Sequence, residues 1–397
     1  MRTILWLGVG LVLAACAAPA GPATAPPTAV SVTAPGAAAT AAPTDRMVVV
    51  PDDVPPVNTS SHAVPLDQIY FDTFRPVNRA VPLSEADAKL IEQLRDAIPP
   101  IHEPRYEPVT EADWLADDDV VLGYAVDGDA WAYPVRILNF HEIVNDFLGG
   151  APVLISYCPL CYSGIVYSRE VGDQVLTFGN TSALYESDMV MLDYATGSYW
   201  WQVAGRAIVG PLTGSALTVL PSATTTWGNW RELYPDTLVL SRETGFGRIY
   251  DRDPFAGLDS LINEGNFAFP VSAAGLDARL SPGDRVLAVQ VAEAVRAYPV
   301  AAIGDGALAD TLGGEDIVVF VRDGAGAAFR AGADGQALTF TAAAGRFTDD
   351  QTGSEWDFAG RALAGPLAGS QLEPVAAKTS FWFAVVAAEP NITIYGE

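Results

Sequence analysis

The sequence predicts a mainly β protein with a few short helices, a β-rich α+β fold, arranged as two tandem pseudo-symmetric repeats. Three observations favour this fold class. Short apolar segments of strand length alternate with turns that contain Gly and Asp. Apolar residues with helical spacing occur only in short stretches. A series of motifs from the first half of the body recurs, in the same order, in the second half.

The repeats are defined by motifs that recur with similar spacing, so chance is a poor explanation. The matching pairs are AYPV at 132–135 and 297–300, LGG at 148–150 and 312–314, TGS at 196–198 and 352–354, GRA at 205–207 and 360–362, and GPL at 210–212 and 365–367. Trp227 and Pro235 correspond to Trp382 and Pro390. These matches place repeat one at 118–242, a connector at 243–280 and a degenerate repeat two at 281–397.

The chain begins with a predicted lipoprotein signal peptide, residues 1–15. Arg2 precedes a short apolar stretch that is too short to span a bilayer, and the stretch ends in LAAC. LAAC resembles the lipobox of bacterial lipoproteins, so we expect Cys16 to be lipidated and to anchor the mature protein outside the cytoplasm. An ordinary secretory signal with a chance cysteine is the alternative. Residues 16–62 are rich in Ala, Pro and Thr and predict a flexible tether.

Charge excludes one class of partner. The chain has 48 acidic residues against 22 Lys and Arg, which gives a net charge of −26. Such a chain repels phosphate backbones, so we expect no nucleic-acid binding. The expected membrane contact is the lipid on Cys16, and a small-molecule or protein partner stays undetermined.

The elements follow in order from turn and cap signals. The segment 64–117 is an N-terminal helical and extended lead-in, with a capping box at Ser84 and Asp87. Repeat one predicts strands at 120–126, 130–138, 153–157, 165–168, 174–178, 189–192, 199–203 and 237–240, and helices at 139–147 and 227–234. The connector has a loop-like composition.

The two copies differ where chemistry is expected. His141 and Glu142 fall opposite Gly306 and Ala307, while CPLC at 158–161 falls opposite RDGA at 322–325. Repeat one also has a longer loop after Phe178. We expect four of its residues to border a site: Asn180, Tyr185, Ser187 and Asp188. The comparison predicts that repeat one carries the reactive groups.

Three interpretations of Cys158, Cys161 and His141 compete. The first is a site for a thiophilic metal ion, zinc or copper, with Glu142, Asn145 and Asp146 in a second shell. The second is a redox dithiol with His141 as proton donor or base. The third is an inert disulfide that staples a turn. We expect the remaining histidines, His62 and His102, at the surface.

Several of these motifs resemble a known bacterial family. NFHEIVND at 139–146, YCPLC at 157–161 and TGSYWWQ at 196–202 are similar to the family called domain of unknown function 3179. The resemblance covers about residues 94–285. It departs from the family pattern at Phe140, where Trp is expected, and at Tyr162, where a small residue is usual. The resemblance implies a secreted or lipid-anchored protein and assigns no reaction.

The sequence therefore predicts a lipid-anchored extracytoplasmic protein with one metal or thiol-redox site in repeat one. Whether the protein is an enzyme is left open. The alternative is a non-catalytic binding or assembly lipoprotein in which Cys158 and Cys161 form a structural disulfide.

Overall fold

The structure is a computed structural model that describes residues 48, 50, 51, 53–77, 79–343 and 345–397. Strands make up 41% and helices 13% of it, which confirms the mainly β fold class. Cys16 and the predicted signal peptide lie outside the described residues. Within the described part, no helix combines the length and apolar character needed to cross a bilayer.

The helices are short. They are α1 Ala88–Leu94, α2 Val135–His141, α3 Trp227–Leu233, α4 Leu258–Asn263, α5 Val300–Ile303 and α6 Trp382–Ala388, with 3-10 turns at Leu66–Gln68 and Val109–Glu111. The strands up to the connector are β1 Ile69–Asp72, β2 Ala80–Pro82, β3 Tyr106–Pro108, β4 Val120–Val126, β5 Asp129–Pro134, β6 Ile143–Leu148, β7 Ala151–Cys158, β8 Ser163–Ser168, β9 Glu170–Val171, β10 Gln174–Val175, β11 Phe178–Tyr185, β12 Asp188–Asp193, β13 Tyr199–Trp201, β14 Arg206–Val209, β15 Val219–Leu220, β16 Ala223–Thr226 and β17 Leu238–Leu240.

The strands after the connector complete the chain. They are β18 Arg285–Val291, β19 Ala294–Pro299, β20 Gly306–Leu312, β21 Glu315–Arg322, β22 Ala325–Arg330, β23 Gly332–Ala333, β24 Gln336–Ala337, β25 Phe340–Ala343, β26 Arg346–Asp349, β27 Glu355–Trp356, β28 Ala362–Ala364, β29 Ala377–Phe381 and β30 Thr393–Ile394.

One sheet runs through both halves of the chain. Its order is β30-β19-β18-β29-β8-β7-β6, with β15 also paired to β8. The halves meet where β29 pairs with β8, at Thr379 opposite Gly164. We call this the shared sheet. Because it is continuous, the halves are hydrogen-bonded to each other as well as packed together.

A second sheet covers the face of the shared sheet that holds the cysteines. Its order is β14-β13-β12-β11-β1-β2, so the lead-in strand β1 belongs to it. Buried side chains from both sheets, among them Ile165, Phe178 and Trp200, form one apolar cluster that also contains Cys158 and Cys161. The cysteines therefore sit within the core between two sheets.

The halves carry similar pairing patterns. The order β16-β4-β5-β17 in the first half matches β29-β18-β19-β30 in the second, and each hairpin is followed by a short helix. Asp193 accepts the indole N–H of Trp200 at 2.9 Å, and Asp349 accepts that of Trp356 at 3.0 Å. The duplication itself stays a prediction drawn from the sequence.

The structure corrects the predicted helix at 139–147. The helix is α2, which ends at His141, and residues 143–148 form β6 against β7. Glu142 ends the helix in the left-handed conformation, with φ of 59°. Pairing with β7 overrides the apolar spacing that suggested a helix, because a strand here can bury its side chains in both cores.

Two smaller predictions also change. The cap of α1 is Asp87, whose Oδ1 accepts the Leu90 N–H at 2.7 Å, rather than Ser84. The predicted long loop after Phe178 is a hairpin of β11 and β12, with residues 186 and 187 at its turn. Of the four residues expected to border the site, Asn180, Tyr185 and Asp188 therefore lie on strands, and Ser187 lies at the turn between them.

Candidate functional site

The two cysteines flank the turn that joins β7 to β8. Cys158 ends β7, and the Cys161 N–H donates to the Cys158 carbonyl at 3.2 Å. Tyr162 follows with φ of 52°, a strained value for a bulky side chain. This tight turn brings the two Sγ atoms to 3.5 Å, and both cysteines are free thiols.

Asp188 is the third member of the cluster. Ligand atoms of Cys158, Cys161 and Asp188 all lie within 4.8 Å of one another, and all three residues are buried. Asp188 Oδ2 accepts the Val203 N–H at 2.8 Å, whereas Oδ1 receives no hydrogen bond of ordinary geometry. The thiols of Cys161 and Cys158 also donate to this carboxylate, and their hydrogen bonds partly offset the rise in the pKa of Asp188 that burial causes. We call these three residues the thiol cluster.

Burial sets the protonation of the thiol cluster. It raises the pKa of Cys158 to about 11, opposed by the Cys161 thiol and reinforced by the carboxylates of Asp188 and Glu142. Burial also raises the pKa of Cys161 well above its usual range. The pKa of Asp188 rises to about 6 through burial, opposed first by the Val203 N–H. Without a cation the sulfurs are therefore thiols at neutral pH.

Glu142 lies near the cluster, and its carboxylate adds to the effect of burial in raising the pKa of Cys158. Its Oε2 accepts the Asn180 amide N–H at 2.7 Å. Burial, reinforced by the Asp188 carboxylate, raises the pKa of Glu142 to about 8 although this hydrogen bond lowers it. Asn180 thus holds a carboxyl group that is mostly protonated at neutral pH.

His141 lies apart from the thiol cluster, so the structure does not place it as the third ligand. Its Nδ1 bonds to the Pro99 carbonyl at 2.7 Å and its Nε2 to the Tyr250 hydroxyl at 2.6 Å. Both nitrogens are thus engaged, and burial lowers the pKa of His141 to about 4. Asp188, and not His141, completes the group of three possible ligand atoms.

The other two predicted second-shell residues brace the sheets. Asn145 bonds to both the carbonyl and the N–H of Phe178, at 2.7 and 2.8 Å, which ties β6 to β11. Asp146 accepts hydrogen bonds from the hydroxyls of Tyr106 and Tyr133. The geometry thus gives both residues structural roles.

The hairpin turn after β11 reaches the cluster directly. Cys161 Sγ contacts the Ser187 carbonyl at 3.5 Å, and Tyr185 packs edge-on against Trp201. Glu186 and Ser187 both have positive φ, of 52° and 58°. Backbone strain of this kind persists where surrounding structure enforces it, and it is frequent at functional sites.

The connector covers this region. The Ser272 N–H donates to Glu186 Oε2 at 2.7 Å, and the Phe269 N–H donates to Ser187 Oγ at 3.3 Å. Farther back, Tyr250 holds His141. The connector 243–280 has the composition of a loop, but it packs against the hairpin turn next to the cluster. We call this connector the strap.

Sequence reasoning missed the contacts of two side chains, the buried Lys378 and the half-buried His102. Lys378 on β29 donates to the Val203 carbonyl at 3.0 Å, beside the N–H that Asp188 accepts. The matching position before α3 is Ala223, so the comparison of the copies contained this signal. His102, expected at the surface, instead bonds to Tyr194 and Asn145.

The donor set suits a thiophilic metal ion. Two sulfurs at about 2.3 Å from a tetrahedral zinc ion lie about 3.8 Å apart, close to the 3.5 Å observed. Two thiolates and a carboxylate would supply three ligands. The turn, the strap and the hairpin would hold them with little rearrangement.

The comparisons with known proteins agree with the motifs. A family model described as "Protein of unknown function (DUF3179)" matches residues 95–392, which extends the resemblance through the second half of the chain. No curated protein and no solved structure is significantly similar to the chain. The chain therefore belongs to the DUF3179 family, whose function is unknown.

Proposed function

We propose that the protein is a lipid-anchored extracytoplasmic protein that binds one thiophilic metal ion, zinc or copper, through Cys158, Cys161 and Asp188. The observation that carries this proposal is the thiol cluster itself: two sulfurs 3.5 Å apart with a buried carboxylate inside ligand distance. The carboxylate favours Zn²⁺, which accepts mixed sulfur and oxygen ligands. The anchor rests on the LAAC sequence that ends at Cys16.

Metal binding fits the site better than thiol–disulfide exchange does. Exchange needs a thiolate that a second sulfur can approach. Cys158 and Cys161 are 1% and 0% exposed. A metal ion removes the need for that approach, because it displaces both thiol protons and neutralises the buried thiolates.

The enclosed site favours metal carriage over Lewis-acid catalysis. A catalytic ion keeps a position open to substrate or water. Here the strap and the hairpin close over the cluster through the contacts of Ser272 and Phe269. An ion held this way exchanges slowly with solvent, as a carried or stored ion should.

The test is the native intact mass of a Cys16→Ala chain exported to a bacterial periplasm. We expect one Zn²⁺ per chain, lost in the Cys158→Ser, Cys161→Ser double variant and depleted in Asp188→Asn. Asp349→Asn is the matched control, since Asp349 is equally buried but remote from the cysteines in sequence. A mass lower by two hydrogens with no metal would contradict the proposal and favour the disulfide.

The anchor has its own test. Cells fed a labelled fatty acid should transfer the label to the wild-type chain and not to Cys16→Ala. Unlabelled wild-type protein released into the medium would refute the anchor and leave the metal site unaffected.

A further inference from the structure

A cavity of about 590 Å³ lies where α3 of the first half meets the second half. Glu232 and Leu233 of α3 form one wall. Three arginines line the rest, with Arg322 at the end of β21, Arg346 at the start of β26 and Arg361 just before β28. We call this space the arginine cavity.

Two of the arginines are fixed in place. Arg322 pairs with Glu232 at 2.6 Å and is 17% exposed. Arg361 donates to the Leu233 carbonyl at 2.6 Å and to Asp357 at 2.8 Å. Arginines held this way lose little conformational entropy when they bind a further group, so the cavity is preorganised.

The third arginine lacks a counter-charge. Among the described residues, no carboxylate forms an ion pair with Arg346, whose side chain is exposed. Arg322 is paired with Glu232 and also lies 3.6 Å from Asp323, and Arg361 is paired with Asp357, so Arg346 is the lining arginine whose charge is left for a ligand.

The arginine cavity lies at the strand end that corresponds, in the alignment of the two halves, to the position of the thiol cluster. Arg322 opens the sequence RDGA, which the alignment of the two halves places opposite CPLC of the thiol cluster. The second half thus loses the thiols at this strand end and gains a cationic cavity there. Replacement of the thiols by a cationic cavity is better explained by binding of a different ligand than by loss of function in the second half.

We propose that the arginine cavity binds a small organic anion through a carboxylate or phosphate group that pairs with Arg346. The volume lies within the range of small-molecule sites, roughly 300–1,000 Å³. Planar guanidinium groups match both kinds of oxyanion, with two parallel hydrogen bonds per pair. Glu232 and Asp357 hold the other two arginines and limit the site to one anionic group.

The test is isothermal titration of the whole chain with inorganic phosphate and, separately, with citrate at low ionic strength. We expect saturable binding of at least one probe, and the probe that binds identifies the oxyanion class. Arg346→Gln should weaken binding about fivefold, the effect of one partly exposed charged hydrogen bond. Glu232→Gln should strengthen binding, because it removes a competing carboxylate.

Arg252→Gln is the matched control, since it removes an exposed arginine of the connector and should leave the affinity unchanged. Melting curves confirm that each variant is folded. The proposal is overturned if neither probe saturates by about 20 mM, a limit that already corresponds to very weak binding. Equal affinities for wild type and Arg346→Gln would overturn it as well.

Discussion

At the scale of single residues, we expect the burial of Asp188 to lower the stability of the metal-free protein. Burial raises the pKa of Asp188 to about 6, so its carboxylate is held in the core at a cost in stability at neutral pH. We predict that Asp188→Asn raises the free energy of unfolding in chelator by about 1 kcal/mol and weakens zinc retention. Denaturant titration and competition with a chromogenic chelator measure the two effects. Lower metal-free stability of Asp188→Asn would contradict this account.

A substitution at His141 should have the opposite effects to one at Asp188: it should lower stability and leave metal binding intact. Its two ring nitrogens bond to Pro99 and Tyr250, and it is fully buried. His141→Ala should therefore lower the free energy of unfolding by about 2–3 kcal/mol, because it leaves a cavity and unpaired groups. The variant should still bind one metal ion when measured below its unfolding transition. Loss of metal from a folded His141→Ala chain would return His141 to the ligand set.

His102 makes stability depend on pH. Burial, reinforced by the charge of Arg169, lowers the pKa of His102 to about 4 from 6.5. In the unfolded chain His102 is protonated below about pH 6.5, whereas in the folded chain it stays neutral down to about pH 4. The free energy of unfolding therefore falls as the pH drops from 6.5 towards 4. In His102→Gln, the free energy of unfolding should fall less steeply as the pH drops, by up to about 1 kcal/mol per pH unit.

Denaturant unfolding at pH 7.5 and pH 5 tests the effect of His102. The exposed His62 provides the control, since His62→Gln should keep the wild-type difference between the two pH values. A wild-type difference retained by His102→Gln would rule out this source.

The residues of the site were only partly predictable. CPLC predicted the thiol pair, because a tight turn at a strand end brings two sulfurs together. The choice between His141 and Asp188 was beyond the sequence, since it depends on how the sheet of β12 lies over the shared sheet. Asp188 was expected only at the border of the site. The comparison of the two copies did show that the segment containing Asp188 is longer in repeat one.

At the scale of elements, we expect the strap to limit access to the thiols, because it is hydrogen-bonded to the hairpin turn beside them. Glu186 accepts the Ser272 N–H, so Glu186→Ala should loosen this part of the strap. We expect metal-free Glu186→Ala to react with a thiol reagent about tenfold faster than wild type, the effect of losing one buried hydrogen bond.

The control for the strap is Glu243→Ala. Glu243 is 81% exposed on the same connector and faces Arg105 at 3.7 Å. Its removal should leave the labelling rate unchanged. Equal rates for all three proteins would show that the thiols are reached by another route.

Elements with clear turn chemistry were predictable and elements set by packing were not. The hairpin of β4 and β5 follows from the Asp127-Gly128 turn. The change from helix to strand at Glu142 does not, because a residue that adopts positive φ leaves no local signal unless it is Gly or Asn. The hairpin of β11 and β12 was not predictable either, because the residues at its turn with positive φ are Glu186 and Ser187 rather than Gly or Asn.

At the scale of the whole molecule, the shared sheet connects the two halves through the pairing of β29 with β8. Residues 48–242 alone would leave β8 without its partner β29. We predict that the full chain unfolds in one transition, and that the 48–242 fragment exchanges its β8 amides much faster than the full chain does. Hydrogen exchange measures both. Equal protection of β8 in the fragment would show that the first half folds alone.

The tie between β29 and the cysteine turn also sets an order of events during biosynthesis. The Cys161 carbonyl accepts hydrogen bonds from the Phe381 N–H at 2.8 Å and the Ser380 hydroxyl at 3.0 Å. A nascent chain must therefore be nearly finished before this turn is locked. If the thiols bind a metal ion as proposed, we expect it to enter before β29 is in place, so the last strands to be synthesised would set the time available for metal binding.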